Sequence, residues 1–164
     1  MIIKKTIKFI LSANWKFFPP KKKKILVYDA GAYNPFHKYL KNYGYNLFFK
    51  RGEQINIFII FKCLIQLDVS FFNYFKNYLK FSQPKIIVTG VDNDPFFYNI
   101  SKIFKVKTIA IVNGNRTYWN DIFINKSINN KKNKKKYFID YLLGQDNFSI
   151  KIFDNFISGK KKAI

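Results

Sequence analysis

Lys85-Ile86-Ile87-Val88-Thr89-Gly90-Val91-Asp92-Asn93-Asp94-Pro95 (KIIVTGVDNDP) decides how this chain reads. Ile86-Ile87-Val88 is a short apolar, β-branched run, the pattern of a strand buried on both faces. Gly90 follows it at once, where a missing Cβ lets a chain turn or a ligand approach. The acidic loop Asp92–Asp94 comes next. Pro95 then suits the first turn of a helix over Pro95–Phe104.

The same order of strand, glycine, polar loop and helix recurs along the chain. Ile25–Tyr28, Asn46–Lys50, Lys85–Thr89, Thr108–Val112 and Tyr137–Leu143 read as strands. Pro35–Asn42, Gln54–Leu67, Phe71–Phe81, Pro95–Phe104 and Asp146–Ile157 read as helices, with Gly159 at the end of the last. Asn125–Lys136 reads as an Asn/Lys-rich surface loop. Strands alternating with helical patterns predict an α/β fold. The expected form is a Rossmann-like open parallel sheet of about five strands with helices on both faces. Five of the seven glycines follow strand runs: Gly31, Gly52, Gly90, Gly114 and Gly144.

The first eighteen residues have a different pattern. Ile3, Ile7, Ile10, Leu11, Phe17 and Phe18 would share one helical face, and Lys4, Lys5, Lys8 and Lys16 the other. An amphipathic helix is therefore expected over residues 1–20, stopped by Pro19-Pro20 and followed by Lys21–Lys24. It could lie on an anionic membrane or pack on the domain. A secretory signal fits poorly, because lysines interrupt the apolar part. No charge-free apolar window reaches the length of a membrane span, and the nearest, Ile55–Phe75, is broken by Lys62, Gln66, Asp68 and Asn73.

The chain has 164 residues and a net charge of +21, from 30 basic and 9 acidic side chains. With 48% hydrophobic and 20% aromatic residues it is not a disordered basic tail. Lysine supplies all but two of the basic residues. Lys, Asn, Ile, Phe and Tyr have A/T-rich codons, and nucleic-acid readers favour the arginine fork. The charge therefore argues less for nucleic acid than its size implies. Cys63 is the sole cysteine and His37 the sole histidine, so neither a disulfide framework nor a Cys/His zinc site can be assembled. Cysteine usage points to the cytoplasm. No metal or resident cofactor is predicted, and no common glycine-rich phosphate loop is present.

The two arginines and four of the nine acids cluster just after strand runs. Tyr28-Asp29-Ala30-Gly31, Arg51-Gly52-Glu53, Asp92-Asn93-Asp94 and Asn113-Gly114-Asn115-Arg116 are the segments concerned. In open α/β sheets the carboxyl edge of the strands is where ligands bind. Arg51 and Arg116 would offer planar forks for phosphate or carboxylate, and the acids a base for a hydroxyl. Each segment also has a plain structural reading. Asp92–Pro95 is a good helix cap, Arg51-Gly52-Glu53 a salt-bridged turn, and Asn113-Gly114 a turn dipeptide.

Taken together, Lys22–Asp29 (KKKILVYD), Phe49–Ile60 (FKRGEQINIFII), Pro84–Tyr98 (PKIIVTGVDNDPFFY) and Lys107–Arg116 (KTIAIVNGNR) resemble the N-terminal half of bacterial surface carbohydrate biosynthesis proteins. The resemblance spans roughly Trp15 to Gly159. That family is glycosyltransferase-like, with a GT-B-type pair of Rossmann-like domains. The resemblance implies an acceptor-side domain over residues 21–159, and a tail at 160–164 where a donor-binding second domain would begin. It puts Arg51, Gly52, Glu53, Asn56, Asp92, Asn93, Asn113, Gly114 and Arg116 at motif positions. It departs from the family at Asp94, where an Asn is common, and at Val112, where a Gln is common. The implied reaction moves a glycosyl group from a nucleotide-linked sugar to an acceptor lipid or glycan at the inner face of the cytoplasmic membrane. Asp92 or Glu53 is the expected general base, with Asp29 behind them. Arg51, Gly52, Asn56, Asn93, Asn113, Gly114, Arg116 and Asp29 are the expected substrate contacts. A separate donor-binding domain is the implied partner, without which turnover is not expected. The rival is a non-catalytic basic module for acidic phospholipid or RNA.

Overall fold

The computed structural model describes residues 13–29, 36–112, 137–154 and 156–163. It is a mixed α/β fold with a six-stranded parallel sheet in the order β3-β2-β5-β6-β7-β8. The chain divides into two compact units, residues 1–85 and 86–164.

The first unit holds β1 (Asn14–Lys16), β2 (Ile25–Tyr28), α1 (His37–Leu40), β3 (Tyr45–Phe48), β4 (Gln54–Asn56), α2 (Ile57–Ile65) and α3 (Phe71–Ser82). β2 and β3 pair in parallel, from Ile25 opposite Tyr45 to Tyr28 opposite Phe48. Leu26, Val27 and Tyr28 are all buried, so this strand shows a continuous apolar run and no alternation. Its core is aromatic. Phe48 lies 4.9 Å from Phe75 and 5.0 Å from Tyr78, ring centre to ring centre, both edge to face. Tyr28 meets Phe75 edge-on at 5.5 Å. These are the separations at which aromatic quadrupoles attract. The Tyr78 hydroxyl donates to the Leu47 carbonyl, so its polar tip is satisfied inside the core.

Side-chain caps start the two longer helices of this unit. Asn56 Oδ1 accepts from the Ile59 amide at the start of α2, and Ser70 Oγ accepts from the Asn73 amide at the start of α3. α3 ends at Gln83, whose left-handed φ of 50° and amide bond to the Leu79 carbonyl close the last turn before Pro84. Three amides on facing faces of the two helices are joined. Asn73 Nδ2 and Asn77 Nδ2 both donate to Gln66 Oε1, at 2.8 and 2.9 Å. Asn77 also reaches Cys63 Sγ at 3.6 Å. Burial pushes the Cys63 thiol pKa up, the negative Asp68 adds to this, and the Asn77 amide opposes it.

The second unit holds β5 (Ile86–Thr89), α4 (Ile100–Phe104), β6 (Lys107–Ile111), β7 (Tyr137–Gly144), α5 (Asn147–Asp154) and β8 (Ile157–Ala163). Its core includes Ile87, Phe97, Ile100, Ala110, Ile139, Leu142, Phe153 and Ile157. β6 and β7 are also tied by side chains. Asp140 Oδ2 accepts from both the amide and the hydroxyl of the buried Thr108, at 2.8 and 3.0 Å.

Four expectations are corrected. Asn14–Lys16 is a strand, not the end of a helix, and pairs in parallel with Gln54–Asn56. The helical expectation for residues 1–12 lies outside the described residues. Gln54–Asn56 is likewise extended, so α2 starts three residues later than its apolar run suggests. The expected helix over Pro95–Phe104 is turns as far as Asn99, whose φ of 97° breaks any helix, and only Ile100–Phe104 is helical. Residues expected to be a helix end and a tail form the sixth strand, β8, whereas about five strands were expected.

β8 explains its own concealment. It ends the strand order, and its sequence is Ile-Ser-Gly-Lys-Lys-Lys-Ala. Lysines on an edge strand discourage pairing with other chains. Here they are held by Asp154, 2.7 Å from Lys161 Nζ, and by the Tyr141 ring, 5.8 Å from Lys160 Nζ. The register with β7 shifts between Phe138 and Tyr141, so β7 carries one extra residue. Gly159 sits opposite this bulge with φ +126°, and a Cβ there would lie 1.7 Å from the Ile139 carbonyl oxygen.

Candidate functional site

The in-register parallel pairing of β2 and β3 makes Tyr28 and Phe48 leave the sheet at one edge. Asp29 follows the first directly and Arg51 lies three residues beyond the second. Arg51 Nε is 3.6 Å from Asp29 Oδ2. The two side chains differ sharply in exposure: Asp29 is 3% exposed and Arg51 68%. Asp29 takes a left-handed φ of 51°, a conformation that Asp tolerates better than most residues. Such backbone positions concentrate at functional sites. The pair sets a buried carboxylate beside a guanidinium still open to solvent. A carboxylate can take a hydroxyl proton, and an exposed fork can bind phosphate or carboxylate.

The neighbouring turn is held by β1. Gly52 has a φ of 86°, and the Glu53 carbonyl accepts from the Asn14 amide at 2.8 Å. The Glu53 side chain is exposed. Asn56 is buried, and its groups serve the protein itself. Its Oδ1 caps α2, its Nδ2 donates to the Phe18 carbonyl at 3.0 Å, and its amide donates to the Tyr74 hydroxyl at 2.9 Å. Burial raises the Tyr74 pKa.

A cleft of about 390 Å³ opens in the first unit between the Lys16–Lys21 strap and residues Tyr45–Leu47. Asn56 and Tyr78 help to line it. Asp29, Arg51, Gly52 and Glu53 are not among its lining residues. No sequence signal pointed to this cleft, because its walls join segments some thirty residues apart, a separation visible only after folding.

In the second unit, Asp92 and Asp94 are both buried and Asn93 between them is exposed. Asp94 Oδ1 accepts from the Phe96 amide at 3.1 Å, which closes a turn; it caps no helix, because the helix here starts only at Ile100. The Asp92 carbonyl accepts from the buried Tyr98 hydroxyl at 2.8 Å, and Thr89 Oγ1 accepts from the Val91 amide at 3.0 Å. These bonds fix the loop after β5. Asn113, Gly114 and Arg116 lie outside the described residues. Among the described residues no group of three or more His, Cys, Asp or Glu is placed to hold a metal ion.

No protein-family model, no curated protein and no solved structure matches this chain.

Proposed function

We propose that residues 21–159 form the acceptor-side domain of a glycosyltransferase-like enzyme of surface polysaccharide or glycolipid assembly. The observation that carries the reading is the buried Asp29 carboxylate with the solvent-open Arg51 guanidinium 3.6 Å away, at the carboxyl edge of two adjacent parallel strands. The four-segment resemblance to surface carbohydrate biosynthesis proteins supplies the reaction class. In this reading Arg51 orients an anionic group of the acceptor. A carboxylate takes the proton of the acceptor hydroxyl as the sugar is transferred. Asp29, Glu53 and Asp92 are the candidates for that base. The donor is a nucleotide-linked sugar held by a separate domain, and the acceptor is a lipid or glycan at the inner face of the cytoplasmic membrane.

The rival of an RNA-binding module has less support. Base stacking needs exposed rings, and Phe17, Phe18, Tyr39 and Tyr43 are exposed, but lysine supplies all but two of the basic residues, so the planar arginine fork that reads and stacks on bases is scarce. Titration with acidic and neutral oligosaccharides tests the proposal. Saturable binding of acidic glycans, weakened roughly tenfold by Arg51→Ala, is expected from loss of one charge-assisted contact. With a nucleotide sugar added, the chain by itself transfers nothing. Transfer by residues 1–164 alone would overturn the division into acceptor and donor halves.

A further inference from the structure

The turn between α2 and α3 carries an exposed apolar tip. Phe61, Leu64 and Ile65 lie at helical spacing on one face of α2, and all are exposed. Leu67, Val69 and Phe72 continue the surface around the turn, with Leu67 95% and Val69 67% exposed. The opposite face of α2 already has its packing, since Ile59 and Cys63 are buried and Gln66 bonds to Asn73 and Asn77. Leu67 also has φ +53°, a left-handed conformation where a helix end normally has Gly or Asn. A Leu there is unfavourable both for the backbone and for its hydration. Such a choice signals a contact that the isolated chain does not make.

Around the tip lysines outnumber the single acid. Lys62 lies one turn back on α2, with Nζ 5.4 Å from the Phe58 ring centre, and Lys76 is exposed on α3. The one acid of the hairpin, Asp68, is exposed; its Oδ1 accepts from the Ser70 amide at 2.9 Å, and the bonds from Ser70 together with the positive Lys76 hold its pKa down. Asn73 Nδ2 donates to the Asp68 carbonyl at 2.7 Å, which ties the turn to α3. An apolar tip with a lysine collar, on a chain of net charge +21, is complementary to an anionic bilayer surface. Among the described residues no helix is long and apolar enough to cross a membrane, so the contact is interfacial.

We propose that the α2–α3 turn is a membrane-interface anchor, in which Leu64, Ile65, Leu67 and Val69 enter the acyl boundary of an anionic bilayer while Lys62 and Lys76 meet lipid phosphates. The anchor is separate from residues 1–24 and does not depend on the glycan reading. The test is sedimentation of the full chain with phosphatidylcholine vesicles, with and without about 30% phosphatidylglycerol. Wild type binds the anionic vesicles. The double variant Leu67→Glu/Val69→Glu, at two exposed positions, keeps its circular dichroism and binds roughly tenfold or more weakly, from loss of two aliphatic side chains. A fluorophore on Leu67→Cys shifts to the blue on those vesicles and is quenched by spin-labelled acyl chains. Buried Cys63 is a poor competitor for the label. Failure of wild type to bind, equal binding by the double variant, or an unshifted label on bound protein each overturns the proposal. A dimer broken by the same double variant, with vesicle binding unchanged, would assign the face to a second copy of the chain instead. Glycan binding unchanged in Leu67→Glu/Val69→Glu keeps this test apart from that of the Asp29–Arg51 pair.

Discussion

Arg51 Nε stands 3.6 Å from Asp29 Oδ2, with the carboxylate buried and the guanidinium largely in water. An ion pair with one exposed partner is screened by solvent and contributes modestly, on the order of 1 kcal/mol or less. Its value to the protein is therefore better sought in binding than in stability. A double-mutant cycle of Arg51→Ala and Asp29→Asn, followed by urea unfolding, should give a coupling of about 0.5–1 kcal/mol that shrinks with added salt. A coupling several times larger would make the pair a structural bridge.

Gly159→Ala should be severely destabilising. The new Cβ would fall 1.7 Å from the Ile139 carbonyl oxygen, at a φ that L residues rarely adopt. The β7–β8 pairing must open or shift to admit it. A loss of about 3 kcal/mol or more is expected in chemical denaturation, against under 1 kcal/mol for a glycine in an unstrained strand position.

Thr108→Val removes the hydroxyl that donates to Asp140 Oδ2 and accepts from the Asp140 amide. Shape is conserved while a cross-strand polar link is lost. The expected cost is about 1–2 kcal/mol, read from the urea midpoint.

Alkaline pH should weaken the fold through its buried phenols. Burial raises the pKa of both Tyr74 and Tyr78 in the folded chain. An unfolded tyrosine ionises near pH 10. The stability these rings contribute is thus complete below about pH 10 and is lost as pH climbs above it. Urea midpoints should hold from pH 7 to about 9 and fall beyond about 10, and Tyr78→Phe should flatten that fall.

The Cys63 thiol should be slow to react. Its raised pKa leaves less thiolate at a given pH, and burial blocks access. Native protein at pH 8 should resist aromatic disulfide reagents over the time in which urea-unfolded protein reacts fully.

Strands whose burial is two-sided were legible because nothing but packing shapes them. Ile25–Tyr28 and Ile86–Thr89 appear as plain apolar runs and are strands in the structure. Helix α3 was legible too, since Phe71–Phe81 reads as helical and the helix runs Phe71–Ser82. Two strands were hidden by opposite causes. Gln54–Asn56 runs directly into α2, so its residues share the helix's apolar pattern. β8 is a lysine-rich edge, and its defining glycine reads equally well as a helix end. The site was legible only as residue types after strands. That Asp29 and Arg51 lie together depends on the β2–β3 register, which no local pattern specifies.

The central claim is that the Asp29–Arg51 edge receives an anionic acceptor. Titration of ¹⁵N-labelled protein with an acidic oligosaccharide, followed residue by residue by NMR, tests it most directly. The account predicts saturable shifts at the Asp29 amide and the Arg51 Nε–H, lost in Arg51→Ala. Absence of saturable shifts there, or shifts confined to other residues, would contradict it.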